Sequence, residues 1–323
     1  MKRRHESSAR DAKLAMRAKY TKVTSFLTGA LPIKDLCDII WEYSVEFEGR
    51  RLREIKLPWE CNALAELHDG KIALGCSDMK VHVLDPVGGD CVQTLAGHTG
   101  AVHVLAVLLD GKLVSGSSDN TVRVWDKDTC LLILAGHTDW VHALVVLPDG
   151  KLASGSWDQT VRVWEDGVCL YTLVGHTGNV RALAVLPDGK LASGSGDKTV
   201  RVWDVASGAC LLTLAGHTYS VHALAAMPDG KLVACDRKEV RVWDAMSGTC
   251  TTLSGHTDWV HAVSVVRDGK LATGSADKTV CVWDATSERC LMTLGEDFGV
   301  SALLALTSGK LAVLARKTLI IYQ

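Results

Sequence analysis

Residues Gly136–Trp164 read "GHTDWVHALVVLPDGKLASGSWDQTVRVW". The stretch points in two directions. His137, Ser154 and Asp158 are the residue types of a hydrolytic triad, in which a carboxylate orients the base that deprotonates a nucleophile. The same stretch alternates β-branched and aliphatic runs, "VHALVVL" and "TVRVW", with the tight-turn residues "PDG" and "WDQ". Asp-Gly is hairpin chemistry, because glycine takes positive φ without steric cost. A catalytic constellation is needed once, whereas a structural one recurs.

Outward from this stretch, it recurs. "DGK" starts at Asp69, Asp110, Asp149, Asp188, Asp229 and Asp268, with "SGK" from Ser308, at intervals of 39 to 41 residues. "GHT" starts at Gly97, Gly136, Gly175, Gly216 and Gly255, and "VWD" or "VWE" places Trp125, Trp164, Trp203, Trp243 and Trp283. Each period holds four strand-like runs and no helical pattern, the fourth being of the type "GVCLYTL". Four strands per unit of about 40 residues make one blade of a β-propeller. Nearly continuous apolar runs suit blades packed on both faces. The expected fold is all-β: a seven-bladed β-propeller of four-stranded antiparallel blades over residues 49–323, with a short N-terminal helical extension.

With Gly-His and Trp-Asp at these places the chain resembles the WD-repeat (WD40) family from about residue 50 to its end. The resemblance implies that His, Ser or Thr, Asp and Trp of one repeat form a buried hydrogen-bond network. The matching sets are His98, Ser115, Asp119 and Trp125; His137, Ser154, Asp158 and Trp164; His176, Ser193, Asp197 and Trp203; and His256, Thr273, Asp277 and Trp283. No enzyme needs four triads, and a nucleophile does not sit in mid-strand, so no catalytic residue is assigned.

Departures mark three blades. The fifth keeps His217 and Trp243, but Ala234 replaces the Ser and the turn "CDRK" is one residue shorter. The first has Leu84 for Trp and no preceding Gly-His; the seventh has Glu296, Val313 and Tyr322 for His, Ser and Trp. The chain stops after "TLIIYQ", the counterpart of a third strand, so the seventh blade lacks its fourth. Arg50–Leu57, "RRLREIKL", supplies it, with Ile55 and Leu57 at the apolar positions. This overlap would remove two open sheet edges at once.

Ahead of that strand, residues 1–30 carry a charge of +6 and are expected to be a disordered basic tail, a transit segment being the alternative. Residues 31–48 include "LPIKDLCDIIWEY", with Leu36, Ile39, Ile40 and Tyr43 on one helical face. The segment is expected to be an amphipathic helix packed on the propeller; the alternative is that, as it resembles the opening of an F-box, it docks a ubiquitin-ligase adaptor.

Net charge is −2 overall but −6 over residues 61–323, which disfavours nucleic-acid binding by the body. No apolar run reaches the length of a membrane span. Cys91, Cys130, Cys169, Cys210, Cys250 and Cys290 recur at the repeat period, and C-x-x-C is absent. They are expected to be unpaired, buried, and in a reducing compartment, cytoplasmic or nuclear. No metal or cofactor is expected.

The function expected is a non-catalytic scaffold for a protein or peptide partner, with a ubiquitin-ligase substrate receptor as the alternative. Specificity belongs at positions that vary between near-identical repeats: Ala101, Trp140, Asn179, Ser220 and Trp259 near the strand start, and Ser118, Trp157, Gly196 and Ala276 before the turn Asp. From these, Trp140, Trp157, Trp259 and Asn179, with neighbouring Tyr219, form the expected binding face. His142 and Arg181 belong to a further set, with His103, His222 and His261, expected to ring the mouth of a central channel as solvated polar residues.

Overall fold

The computed structural model of the chain describes residues 49–244, 247–266 and 269–323. The expected basic tail and F-box-like segment lie outside the described residues. Twenty-eight strands form seven four-stranded antiparallel sheets. Blade 3, which holds the opening stretch, is built from Val141–Val146, Leu152–Ser156, Val161–Glu165 and Val168–Leu173 in simple up-and-down order. Blade 2 comprises Val102–Val107, Leu113–Ser117, Val122–Asp126 and Thr129–Leu134, and the remaining blades repeat this plan.

The second strand is buried along its length in every blade but the fifth, where it begins at half-buried Lys231; in blade 3 it is "LASGS". Its apolar residues feed clusters that span neighbouring blades: Val122, Val141, Leu152 and Trp164 share one such cluster. Glycine sets how closely the blades approach. A Cβ added at Gly155 would lie 2.6 Å from Val180 Cγ1 of the next blade. That gap is too small for any side chain, so the repeated "SGS" tells of inter-blade contact as well as strand.

Blade 7 consists of Val300–Ala305, Leu311–Ala315 and Thr318–Tyr322, completed by Arg51–Lys56. The completing strand pairs antiparallel with Thr318–Tyr322 in the register Arg51 to Tyr322 and Ile55 to Leu319. Arg50 and Gln323 exchange both backbone hydrogen bonds at 3.0 and 2.9 Å. Blade 1 follows at once, with Cys61–Glu66, Ile72–Cys76, Lys80–Leu84 and Cys91–Ala96. Leu57, at the place of the missing Gly-His histidine, is buried with Ile55, Leu319 and Leu84. An apolar contact thus replaces the polar network on that seam.

The cysteines correct the sequence reading. The six periodic thiols are exposed or half-exposed, because they lie on the outermost strands, where only one side meets protein. Arg123, Arg162 and Arg201 each point a guanidinium N–H at the sulfur of Cys130, Cys169 and Cys210, at 3.6 to 3.8 Å. A seventh and an eighth cysteine, Cys61 and Cys76 of blade 1, face each other across the first strand pair and form a disulfide. The expectation of unpaired thiols concerned the six periodic cysteines, which are free; their expected burial is what fails.

Candidate functional site

In blade 3 the triad-like residues form a closed chain of donors. Trp164 Nε1–H donates to Ser154 Oγ at 2.7 Å, and the Ser hydroxyl and His137 Nε2 are 2.7 Å apart. His137 Nδ1 and Asp158 Oδ2 also stand 2.7 Å apart. The indole can only donate and the carboxylate only accepts, so Ser donates to Nε2 and His donates from Nδ1. The same pattern holds in blade 2 through His98, Ser115, Asp119 and Trp125, in blade 4 through His176, Ser193, Asp197 and Trp203, and in blade 6 through His256, Thr273, Asp277 and Trp283. Burial alone would raise the carboxyls of Asp119 and Asp158. Hydrogen bonds from His98 and Thr121, and from His137 and Thr160, outweigh it and hold both well below the usual carboxylate range. Each Ser oxygen is buried and already accepts an indole proton. The arrangement gives stability to a loop, two strands and a turn, and it offers no substrate access.

The varying positions come together in a different place. Trp157 N–H bonds Trp140 C=O at 2.9 Å, which sets the two rings in a stack with centroids 4.5 Å apart. His103 stacks on Trp140 and on His142, and His142 stacks on Trp157. The Arg181 guanidinium lies 5.0 Å over the Trp157 ring. In a second cluster, Tyr219 meets Trp259 edge to face, and His222 lies against both Trp259 and His261. Asn179, half-buried, precedes Arg181 by two residues, and its carbonyl accepts from Gly196 N–H at 2.8 Å.

What aims these residues is a bulge. The first strand pair slips register between Val102 and Val104, Val141 and Ala143, Val180 and Ala182, and Val260 and Ala262. The skipped residues are His103, His142, Arg181 and His261. A bulge re-aims one side chain out of the strand's alternation. Asn62 and Ser301 occupy the same bulge in blades 1 and 7. The sequence reading missed both, because it counted from the Gly-His histidine that those blades lack. Counting from the buried residue just before the bulge, Cys61 or Val300, would have found them. It also missed Arg237, whose guanidinium lies 5.4 Å over Tyr219 and 5.8 Å over Trp259.

His103 and His142 are half-buried and stacked, and His222 is half-buried with edge contacts, which corrects the expectation of solvated residues for these three; His261 is exposed. Burial, with the positive groups His103, Arg181 and His222 nearby, holds His142 down to about 3. Burial, then Arg181 and His261, hold His222 to about 4. Near neutral pH both rings are uncharged, and Arg181 and Arg237 carry the charge of this face. Four buried polar atoms here have no hydrogen-bond partner: His103 Nε2, Trp157 Nε1, Arg181 Nε and Arg237 Nε.

Five segments match the family model described as WD domain, G-beta repeat: residues 89–126, 128–165, 167–204, 208–244 and 248–284, together more than half of the chain. The chain belongs to the WD40 family. Each WD40 match begins near the outer strand of one blade and ends on the third strand of the next, as residues 89–126 run from Cys91–Ala96 to Asp126. Blade 7, the first three strands of blade 1 and the fourth strand of blade 6, Arg289–Gly295, fall outside the five matches and are defined by their pairing alone. No individual curated protein matches the sequence significantly. WD40 propellers are generally non-catalytic interaction scaffolds, and among the described residues no helix is long and apolar enough to cross a membrane.

Proposed function

We propose that this WD40 protein is a non-catalytic scaffold that takes a protein or peptide partner on the face formed by Trp140, Trp157, Tyr219, Trp259, Asn179, Arg181 and His142. The observation that carries the reading is the Trp140–Trp157 stack. Trp140 is 38% exposed and Tyr219 42%, an unusual outlay of large rings at the rim of a polar opening. Tryptophan, tyrosine and arginine are enriched among residues that dominate binding energy. The Arg181 and Arg237 guanidinium groups beside these rings suit a partner that brings acceptors, either backbone carbonyls or carboxylates. Partners that bring only donors are disfavoured.

Affinity purification of the full chain from its native cell, with partners identified by mass spectrometry, tests this reading. The double variant Trp140→Ala with Trp157→Ala should lose the partners of the wild type, while its melting temperature stays nearly unchanged. Retention of those partners by a variant that melts much earlier would assign the rings to packing.

A further inference from the structure

Blade 1 breaks the repeat in three places, and the three breaks meet. Cys61 stands in the register of Val102, Val141, Val180 and Val260, and Cys76 in that of Ser117, Ser156, Ser195 and Ser275. His82 stands in the register of Arg123, Arg162 and Arg201. The turn aspartate is kept as Asp78, but Leu57 has displaced the histidine that would occupy it. Asp78 therefore turns to His82, with Oδ2 at 2.9 Å from Nε2. Cys76 Sγ, an Asp78 carboxylate oxygen and a His82 ring nitrogen all lie within 4.8 Å of one another, and Cys61 Sγ is bonded to Cys76. Among the described residues this is the one convergence of three or more metal-donor side chains.

We propose that Cys61, Cys76, Asp78 and His82 form a thiol-gated site for a zinc-like divalent cation, closed while the two sulfurs are bonded to each other and opened by reduction. Two sulfurs, one imidazole and one carboxylate are a donor set that suits zinc, which takes four such ligands in a tetrahedral arrangement. The surroundings are those of a metal-binding histidine. His82 is buried, its ring is held by Trp59 stacked at 3.5 Å, and its far nitrogen Nδ1 sits 3.0 Å from Thr94 Oγ1. A hydroxyl can donate or accept. In the closed state Nε2–H donates to Asp78 and Thr94 donates to Nδ1. In the open state Nδ1–H donates to Thr94, which leaves the Nε2 lone pair for the cation, the usual outer support of a metal-bound imidazole. Asp78 is the entry side, its side chain being 31% exposed while Cys76 is fully buried.

The chemistry balances. Reduction breaks the Sγ–Sγ bond: a dithiol supplies two electrons and two protons and closes to its own disulfide, whereas a phosphine supplies the two electrons and one water supplies the two protons and the oxygen of the phosphine oxide, each route yielding two thiols. Cation uptake then releases both thiol protons to solvent.

The test uses the full chain, stripped of metal by a chelator and prepared in two forms, one reduced with a phosphine and one oxidised with diamide. Zinc uptake is measured by competition against a chromophoric chelator, and cobalt serves as a second probe through its thiolate charge-transfer absorption. The reduced chain should take up about one zinc and show the cobalt band, and the oxidised chain neither. The other blades supply the control variants, since Cys61→Val, Cys76→Ser and His82→Arg each install a residue that the fold already accepts at that register. Each should abolish the uptake with the circular dichroism spectrum preserved, and Asp78→Asn should weaken it about 10-fold or more. Equal uptake by both forms, uptake retained in the Cys61→Val, Cys76→Ser double variant, or no uptake by a folded reduced chain would each overturn the site.

Discussion

Trp243 donates its indole N–H directly to His217 Nε2 at 3.4 Å, whereas blades 2, 3, 4 and 6 place a hydroxyl between the two rings. The cause is Ala234, which leaves the fifth blade without the bridging oxygen. His217 and Asp236 also stand farther apart, at 3.3 Å against 2.7 Å in blade 3. Asp158→Ala and Asp197→Ala should each destabilise the protein by about 1–3 kcal/mol, since each strands a buried imidazole N–H. Asp236→Ala should cost less, because its bonds are longer. Thermal melts of the three variants decide, and equal losses would contradict the weaker fifth network.

Closure should be sensitive to one side of a single strand. Ile55 is buried against Leu319 in the seam cluster, while Leu52 on the same strand is exposed. Ile55→Asp buries an unpaired charge and should cost about 3 kcal/mol or more; Leu52→Asp should be close to neutral. Denaturant unfolding and light scattering would register the difference as early unfolding and aggregation of the first variant alone.

Inter-blade spacing gives a third expectation. Gly155→Ala forces its new methyl group onto Val180 and should cost about 1–3 kcal/mol through overpacking. Gly295→Ala, where an added Cβ meets nothing within 4 Å, is the control and should change the melting temperature little.

Acid should loosen the cluster around His142 and His222. His142 is held to about 3 and His222 to about 4 in the fold, against 6.5 for the free side chain. The unfolded chain then binds protons that the folded one refuses, so this stability is complete above about pH 6.5 and falls away as the pH drops. The carboxylates of Asp119 and Asp158, also depressed, withdraw their share at still lower pH. The melting temperature should therefore decline from about pH 7 to about pH 5, and His142→Gln should decline less. Equal slopes would show that the ring does not stay neutral.

Most of the propeller was legible because each blade rewrites the same sentence. Gly-His, Asp-Gly and Trp-Asp fix the turns, and the apolar runs between them leave only strands. Even the closing strand could be read, from Ile55 and Leu57 ahead of a chain that stops one strand short. The Trp140–Trp157 cluster was legible by the opposite rule, since the two rings stand out only because the repeats around them agree. What escaped lay in blade 1. Cys61 and Cys76 are 15 residues apart, a spacing of no metal or redox motif, and only the pairing of two strands makes them neighbours. The exposure of the periodic cysteines escaped for a related reason. Period gives the strand on which a residue sits, and packing decides whether anything covers it.

The offset between repeat and blade has a consequence for how the molecule comes apart. Each 39- to 41-residue unit lends its outer strand to one sheet and its inner strands to the next, and the first and last described strands are stitched into one blade. Open arrays of repeats have terminal units that fray first, and their unfolding spreads into stages as the array lengthens. A ring built from straddling units has no first unit to lose. Releasing any one of them breaks two sheets, so the described body should melt as one event, with amides of blade 7 protected from hydrogen exchange as well as those of blade 4.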